Sequence, residues 1–206
     1  FDEGGFSAFC ARARSGNVRA EGIYSHFYMP EDISATQRQY ERFCAFAERA
    51  ERSFGKLIKH IAATGGILAD KRYALDMVRP GIGLYGYLPG GFAGALPLKR
   101  AMRVYASAVC SRKYDGGGAG YGAYGGEKGD VMSAVRCGYA DGFFRKGGIG
   151  NINSLCMDAF LYPQKLEKDE EVCVLSDADE WAAINGTISY EVLVNAGKRA
   201  VKIYVG

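Results

Sequence analysis

An arginine stands at position 79, at the end of an apolar, strand-like run, and a Pro-Gly turn follows at once: Asp76-Met77-Val78-Arg79-Pro80-Gly81-Ile82-Gly83-Leu84-Tyr85-Gly86. The order sets a rigid, permanently charged guanidinium beside backbone N–H groups of a turn. That pairing suits an anionic, planar ligand, because turn amides take a phosphate while the guanidinium donates to a ring atom nearby. On residue type alone, a surface ion pair accounts for Arg79 equally well. A second run, Gly118-Ala119-Gly120-Tyr121-Gly122-Ala123-Tyr124-Gly125, lies between two β segments and surrounds its tyrosines with glycine. The flanking glycines leave a phenol projecting with little steric cover; a glycine-rich hairpin loop decorated with tyrosine has the same composition.

Those residues need elements to position them. With 206 residues and 48% hydrophobic content, the chain is able to bury one substantial core or two smaller ones. Residues 6–14 read as helix and 18–26 as a strand ending in polar groups. A long helix covers 35–52, with Tyr40, Phe43, Cys44, Ala47 and Ala50 recurring at helical spacing. A strand over 57–62 follows, then a short helix that Thr64 is placed to cap and that runs to Lys71, then the arginine strand over 75–85. Strand and helix alternate here as in parallel β/α units, and three strands cannot close a barrel by themselves. From about residue 96 the pattern changes to short β-branched or aromatic runs at 104–112, 131–138, 159–162, 171–175 and 199–204, separated by Gly, Asp and Lys clusters. One helical piece, 179–184, interrupts them. The expected fold class is therefore α/β plus all-β. Residues 1–95 form part of a barrel, a partial (β/α)8, TIM-type one, and residues 96–206 a mainly antiparallel β domain, joined by the glycine-rich segment Pro89-Gly90-Gly91-Phe92-Ala93-Gly94-Ala95.

Composition narrows the partners. No stretch approaches the roughly 18 apolar residues of a membrane span, and no basic N-terminal region leads into an apolar one. The 26 basic residues are interspersed among 23 acidic ones, with no polybasic block, which argues against nucleic acid and anionic membrane. Six cysteines sit singly in hydrophobic segments, without a C-x-x-C pair or histidines at metal-ligand spacing, so reduced thiols in a cytoplasm and no metal site are expected. Phe1 is not methionine and the chain passes at once into helix, from which a missing upstream portion is expected.

Several motifs in order resemble those of the alanine racemases, the pyridoxal phosphate (PLP)-dependent enzymes of fold type III that interconvert L- and D-alanine. Besides Val78-Arg79-Pro80-Gly81-Ile82, the resemblance rests on Tyr24-Ser25-His26-Phe27, Ala63-Thr64-Gly65-Gly66, the Gly120-Tyr121-Gly122 run, Gly138-Tyr139-Ala140-Asp141-Gly142, Cys156-Met157-Asp158 and Gly186-Thr187-Ile188-Ser189-Tyr190-Glu191. It implies an eight-stranded β/α barrel followed by a β domain, of which this chain has the later half of the barrel and the whole β domain. It also implies a homodimer in which each active site borrows groups from the partner's β domain, acting on alanine in the cytoplasm to supply D-alanine for peptidoglycan.

The same resemblance assigns roles. Arg79 donates to the pyridine nitrogen; because a guanidinium almost never gives up its proton, the ring stays unprotonated and side reactions of a long-lived carbanion are restrained. Thr64, the backbone N–H groups of Gly81 and Ile82, and the Tyr190 hydroxyl take the phosphate, and His26 orients the ring. Tyr121 is the base on one face of the substrate α-carbon, with Tyr124 as the alternative, and a PLP-binding lysine serves the other face. A free phenol has a pKa of about 10, so neighbouring cations or donors must favour the phenolate. Tyr139 lines the substrate entrance, the Met157 backbone meets the substrate carboxylate, and Asp158 shapes the access corridor. Two departures stand out. Asn153 and Ser154 replace the Gly-Arg pair of a usually longer hairpin, and none of Lys56, Lys59 and Lys71 has the K-A-N-A-Y-G-like setting of the PLP-binding lysine. A serine or broad-specificity racemase, and a noncatalytic dimerisation or binding remnant, are the alternative readings.

Overall fold

The long helix shows most directly how sequence becomes position. In the computed structural model, which describes residues 3–16, 18–122, 126–145 and 155–205, a first helix α1 (Glu3–Ser15) is followed by strand β1 (Gly22–Tyr24) and then by α2 (Ile33–Phe54). The Asp32 carboxylate starts α2 by accepting the Ala35 N–H at 2.9 Å and the Ser34 hydroxyl at 3.0 Å. Those bonds hold the carboxyl below its ordinary range, the Ala35 amide contributing most. Gly55, at φ 80°, ends the helix. Ala35, Thr36, Phe43, Ala47 and Ala50 recur on one face and are buried. Phe43 packs with Phe27, Ile61, Ala62 and Tyr73, and Ala50 with Phe6, Cys10 and Leu57.

Strand β2 (Ile58–His60) pairs in parallel with β1, in the register Gly22↔Ile58, Ile23↔Lys59 and Tyr24↔His60. Both strands are shorter than the spans expected from composition, because a ladder lasts only as long as its partner and β2 offers three residues. Helix α3 (Thr64–Ala69) follows; its cap position is Ala63 and carries no side-chain cap bond, so Thr64 does not cap it. The arginine segment is not a continuous strand. Leu75 takes φ 48°, Arg79 makes a single parallel bridge with Ala63, and Pro80, lacking an N–H, cannot extend the ladder. A 3-10 turn, Ile82–Tyr85, replaces the rest. The glycine-rich linker contains another such turn, Gly90–Phe92.

The chain divides into two compact units, Phe1–Lys99 and Arg100–Gly206. The second is built on an antiparallel sheet of β3 (Val104–Lys113), β4 (Val131–Val135), β5 (Phe160–Tyr162) and β6 (Glu171–Leu175), in spatial order β5-β4-β3-β6. The long strand β3 serves β6 with its first half and β4 with its second, with register shifts at Val104/Tyr105 and at Ala108/Cys110. Helix α4 (Ala178–Asn185) buries Trp181, whose indole N–H donates to the Val174 carbonyl at 3.1 Å. A further helix, α5 (Ser189–Asn195), was not expected from the sequence; it contains Tyr190. The run 199–204, expected as a strand, has no strand partner among the described residues, and Val201, Ile203 and Tyr204 are exposed.

The glycines of Gly138-Tyr139-Ala140-Asp141-Gly142 are explained by packing. A Cβ on Gly138 would lie 2.2 Å from the Met157 carbonyl oxygen, and one on Gly142, where φ is +95°, would lie 1.9 Å from the Asn195 carbonyl oxygen. Gly142→Ala therefore combines a left-handed backbone with a main-chain collision and should cost the second unit at least about 3 kcal/mol. Urea unfolding followed by the fluorescence of Trp181, the single tryptophan of the chain, measures this; an unmoved midpoint would contradict the packing described.

Candidate active site

Arg79 is held from several sides. Its main-chain N–H donates to the Ala62 carbonyl at 3.0 Å, which fixes the root of the side chain beside the end of β2. One guanidinium nitrogen, Nη2, donates to the Ser25 carbonyl at 2.8 Å and lies 3.4 Å from both the Ile61 carbonyl oxygen and His26 Nδ1. The other, Nη1, is hydrogen-bonded to His60 Nδ1. Since a guanidinium only donates, His60 accepts through Nδ1 and carries its proton on Nε2. Its imidazole stacks on Tyr24, with centroids 5.4 Å apart and planes 6° from parallel, and the Arg79 guanidinium lies 5.6 Å from the Tyr24 centroid. Burial, then the Arg79 charge, pushes the His60 pKa down from its ordinary value. All these acceptors are neutral: among the described residues Arg79 has no carboxylate partner. Its Nε–H donates to no group there either, so the cation keeps both its charge and a free donor.

Immediately along the chain lie further donors. The N–H groups of Gly81 and Ile82 have no acceptor among the described residues, and a Cβ placed on Gly81 would meet open space. Thr64 Oγ1 accepts the Gly83 N–H at 3.2 Å. Its side chain is 7% exposed, and its own hydroxyl proton has no acceptor among the described residues. A buried hydroxyl with a spare proton, two unpaired amides and an uncompensated guanidinium form a donor set for a phosphorylated, planar acceptor. The residues of the first unit thus fit PLP.

The second unit carries the remaining predicted residues. Tyr121 lies in a 3-10 turn, Gly120–Gly122, with left-handed φ 57° and ψ 30° and its side chain 70% exposed. The Arg145 guanidinium sits 5.3 Å from its ring centroid. Tyr124, Asn153 and Ser154 lie outside the described residues. Tyr139 is partly exposed on a turn fastened to the Cys156-Met157 main chain: Tyr139 N–H donates to the Cys156 carbonyl at 3.1 Å and Ala140 N–H to that of Met157 at 3.0 Å. Asp141 closes this turn by accepting the Gly138 N–H at 2.9 Å. Arg199 pairs with Asp158 at 2.9 Å and reaches Asp141 at 3.5 Å. Tyr139, Met157 and Asp158 are therefore one assembly. The Met157 N–H has no acceptor among the described residues. Tyr190, near the start of α5, is 41% exposed, and its partial burial raises its phenol pKa, so it remains a proton donor at neutral pH.

Arg79, His26, Thr64, Gly81 and Ile82 form one cluster in the first unit, while Tyr121 and Tyr190 make no hydrogen bond to another predicted site residue among those described. His60 and Ser25 were missed in the sequence. The signal lay in the register: Tyr24 faces His60 across the ladder, so the residues leaving β1 and ending β2 must share one end of the sheet.

Family models agree with this division of residues. The alanine racemase N-terminal domain matches residues 1–89, and the alanine racemase C-terminal domain matches residues 101–204. The chain belongs to the alanine racemase family. The alanine racemase of Thermodesulfovibrio yellowstonii is 32% identical over 94% of this chain and 58% of its own length. Among solved structures, alanine racemase of Clostridium difficile 630 in complex with cycloserine superposes with a TM-score of 0.83 at 26% identity, covering 96% of this chain and 60% of that one. The fold is shared as well with alanine racemase from Bartonella henselae with covalently bound pyridoxal phosphate, at a TM-score of 0.75 and 24% identity over 99% of this chain and 62% of that one. The chain thus spans about three-fifths of the length of these relatives. Its fold is a partial barrel followed by a mainly antiparallel β domain.

His60 gives this chain a testable pH signature. Because its folded pKa lies below 6.5, the unfolded chain binds more protons. The stability it contributes is complete above pH 6.5 and is lost as pH falls through the folded value. Thermal melting between about pH 5 and 7.5 should show the midpoint dropping on acidification, and His60→Asn should flatten that dependence. Identical slopes in parent and variant would show that His60 is not held neutral.

Proposed function

We propose that this chain supplies the later barrel strands and the β domain of a PLP-dependent racemase that interconverts L- and D-alanine, with each active site shared between two copies of the polypeptide. The observation that carries the reading is the Arg79 guanidinium, oriented by neutral acceptors with no carboxylate among the described residues, beside unpaired amides and a buried hydroxyl. The covalent PLP of the Bartonella henselae protein and the cycloserine complex of the Clostridium difficile protein support it.

PLP, when bound, supplies a conjugated electron sink that makes the α-proton of an amino acid removable. The residues of this chain govern what happens around it. The N–H groups of Gly81 and Ile82 and the Thr64 hydroxyl would hold the phosphate, a role in which the Tyr190 hydroxyl would join them. Arg79 would donate to the ring nitrogen and, by keeping its own proton, would leave that nitrogen unprotonated. His26 would orient the ring. The Met157 N–H receives the substrate carboxylate, and Tyr139 and Asp158 line the way in.

Racemisation needs a base on each face of the α-carbon, since one group removing and returning the proton on the same side retains configuration. Tyr121, from the β domain of the second copy, is the base for L-alanine, with the Arg145 cation over its ring. The opposite face belongs to a PLP-binding lysine. Lys59 is unsuited to that role, being paired with Glu51 at 2.8 Å. The D-alanine formed would enter peptidoglycan synthesis in the cytoplasm.

The test is made on the PLP-loaded polypeptide that carries this chain. Tyr121→Phe should slow exchange of the L-alanine α-proton with deuterated solvent by at least about 100-fold, while the PLP absorbance persists. Equal exchange in parent and variant would remove Tyr121 from the proton path. Arg79→Glu should instead protonate the ring nitrogen and raise keto-acid formation through transamination; an unchanged keto-acid yield would count against the ring-side assignment.

A further inference from the structure

The acceptors that aim Arg79 come from two places of unequal rigidity. His60 and Ile61 belong to β2 and its continuation, which is tied down by its ladder and by the bonds of Lys59 N–H to Asp76 Oδ2 at 2.8 Å and Asp76 N–H to the Lys59 carbonyl at 3.1 Å. Ser25 and His26 lie beyond the end of β1. After the Ser25 N–H, which donates to the His60 carbonyl at 3.2 Å, no main-chain group from His26 to Tyr28 is bonded to another main-chain group among the described residues. The bonds on that stretch come from one side chain of α2. Gln39 Nε2 donates to the His26 carbonyl at 2.6 Å and lies 3.5 Å from the Ser25 hydroxyl, and Gln39 Oε1 accepts the Tyr28 N–H at 3.4 Å. The orientation of the amide is forced, since the Tyr28 N–H only donates and the His26 carbonyl only accepts.

The position of Gln39 makes the same point. It stands four residues before Phe43 and four after Ala35, on the stripe that α2 turns inward. Helical periodicity favours an apolar residue there, and a half-buried amide is retained only where its bonds are satisfied. Leu or Met would fill the volume, but neither would hold the chain leaving β1. Glu would lose the donor.

We propose that Gln39 is a positioning residue of the active site: its carboxamide fixes the turn from Ser25 to Tyr28, so that the Ser25 carbonyl and the His26 ring aim the Arg79 guanidinium. The proposal rests on the reading of Arg79 as the ring-side donor, and it assigns Gln39 no contact with substrate or PLP. Without the carboxamide the Ser25 carbonyl shifts, Nη2 loses its short acceptor, and the guanidinium swings away from His60 as well.

The chain has two histidines, so ring proton resonances followed by NMR give two titrations, which His26→Asn assigns. The groups facing His60 are Arg79 and Tyr24, with His26 on the far side of the guanidinium, while the neighbouring Lys59 is engaged by Glu51. In ligand-free protein, Arg79→Met should raise the His60 midpoint toward 6.5 by removing the adjacent charge. Gln39→Met should raise it in the same direction and should add nothing in the Arg79→Met background. A midpoint unmoved by Gln39→Met, or moved equally with and without Arg79, overturns the proposal. Should Gln39→Met lose the helical circular dichroism of the parent, Gln39→Glu is read in its place by the NMR signals of the Arg79 guanidinium. Distinct Nη signals in the parent that merge in this variant support the proposal, and unchanged ones overturn it. None of these readouts uses PLP. Absorbance on adding PLP to the polypeptide that carries this chain tests the functional reading separately, so a closed cycle together with no PLP uptake there upholds Gln39 as the residue that aims Arg79 while sinking the proposed function.

Discussion

A guanidinium aimed by neutral acceptors is the constraint around which the first unit is arranged. A carboxylate partner orients a half-buried arginine and cancels its charge together. Arg79 is oriented without being cancelled, by the Ser25 and Ile61 carbonyls and by two imidazole nitrogens. The arrangement binds His60 in turn. A protonated imidazole would set a second cation against the first and would lose the Nδ1 lone pair that receives Nη1, so the arginine and the neutral histidine require each other. The short parallel pair β1–β2 is what makes this possible, because its register ends with Tyr24 beside His60 and delivers both chain exits to one place.

Much of this was legible in the sequence, and the parts that were not share a cause. The long helix, strand β6 and helix α4 follow from periodicity and capping residues that act locally. The arginine strand failed because Pro80 and the left-handed Leu75 outweigh a run of apolar residues. The segment 199–204 failed because β-branched residues make a strand only where a partner edge is available. Thr64 illustrates a finer limit. A threonine opening a helix reads as a cap, yet its hydroxyl serves a glycine amide nineteen positions away, and nothing local distinguishes the two uses.

The candidate residues were legible to the extent that they lie in contiguous motifs. Arg79, Gly81 and Ile82 are neighbours in the chain, and so are Met157 and Asp158, which lets residue type and order carry the reading. His60 belongs to no motif; its part depends on strand register. Gln39 is hidden differently, since a glutamine among Arg38, Tyr40 and Glu41 looks like an ordinary solvated helix residue until the helix is seen to turn that face inward.

A motif also means different things at its different positions. In Gly138-Tyr139-Ala140-Asp141-Gly142 the glycines are demanded by carbonyl oxygens at Met157 and Asn195, and Asp141 closes the turn. Packing explains them fully, and their presence says nothing about catalysis. Tyr139 is left over, a large, partly exposed aromatic on a turn that any residue would permit. The same subtraction isolates Tyr121. A left-handed backbone costs a residue other than glycine about 1 kcal/mol or more, and the exposed ring recovers little of that by burial. The Arg145 cation over its face is a modest return at an exposed site. An uncompensated local cost, borne by an accessible phenol in a loop otherwise free to carry glycine, is a reason to look for its compensation in chemistry rather than in stability.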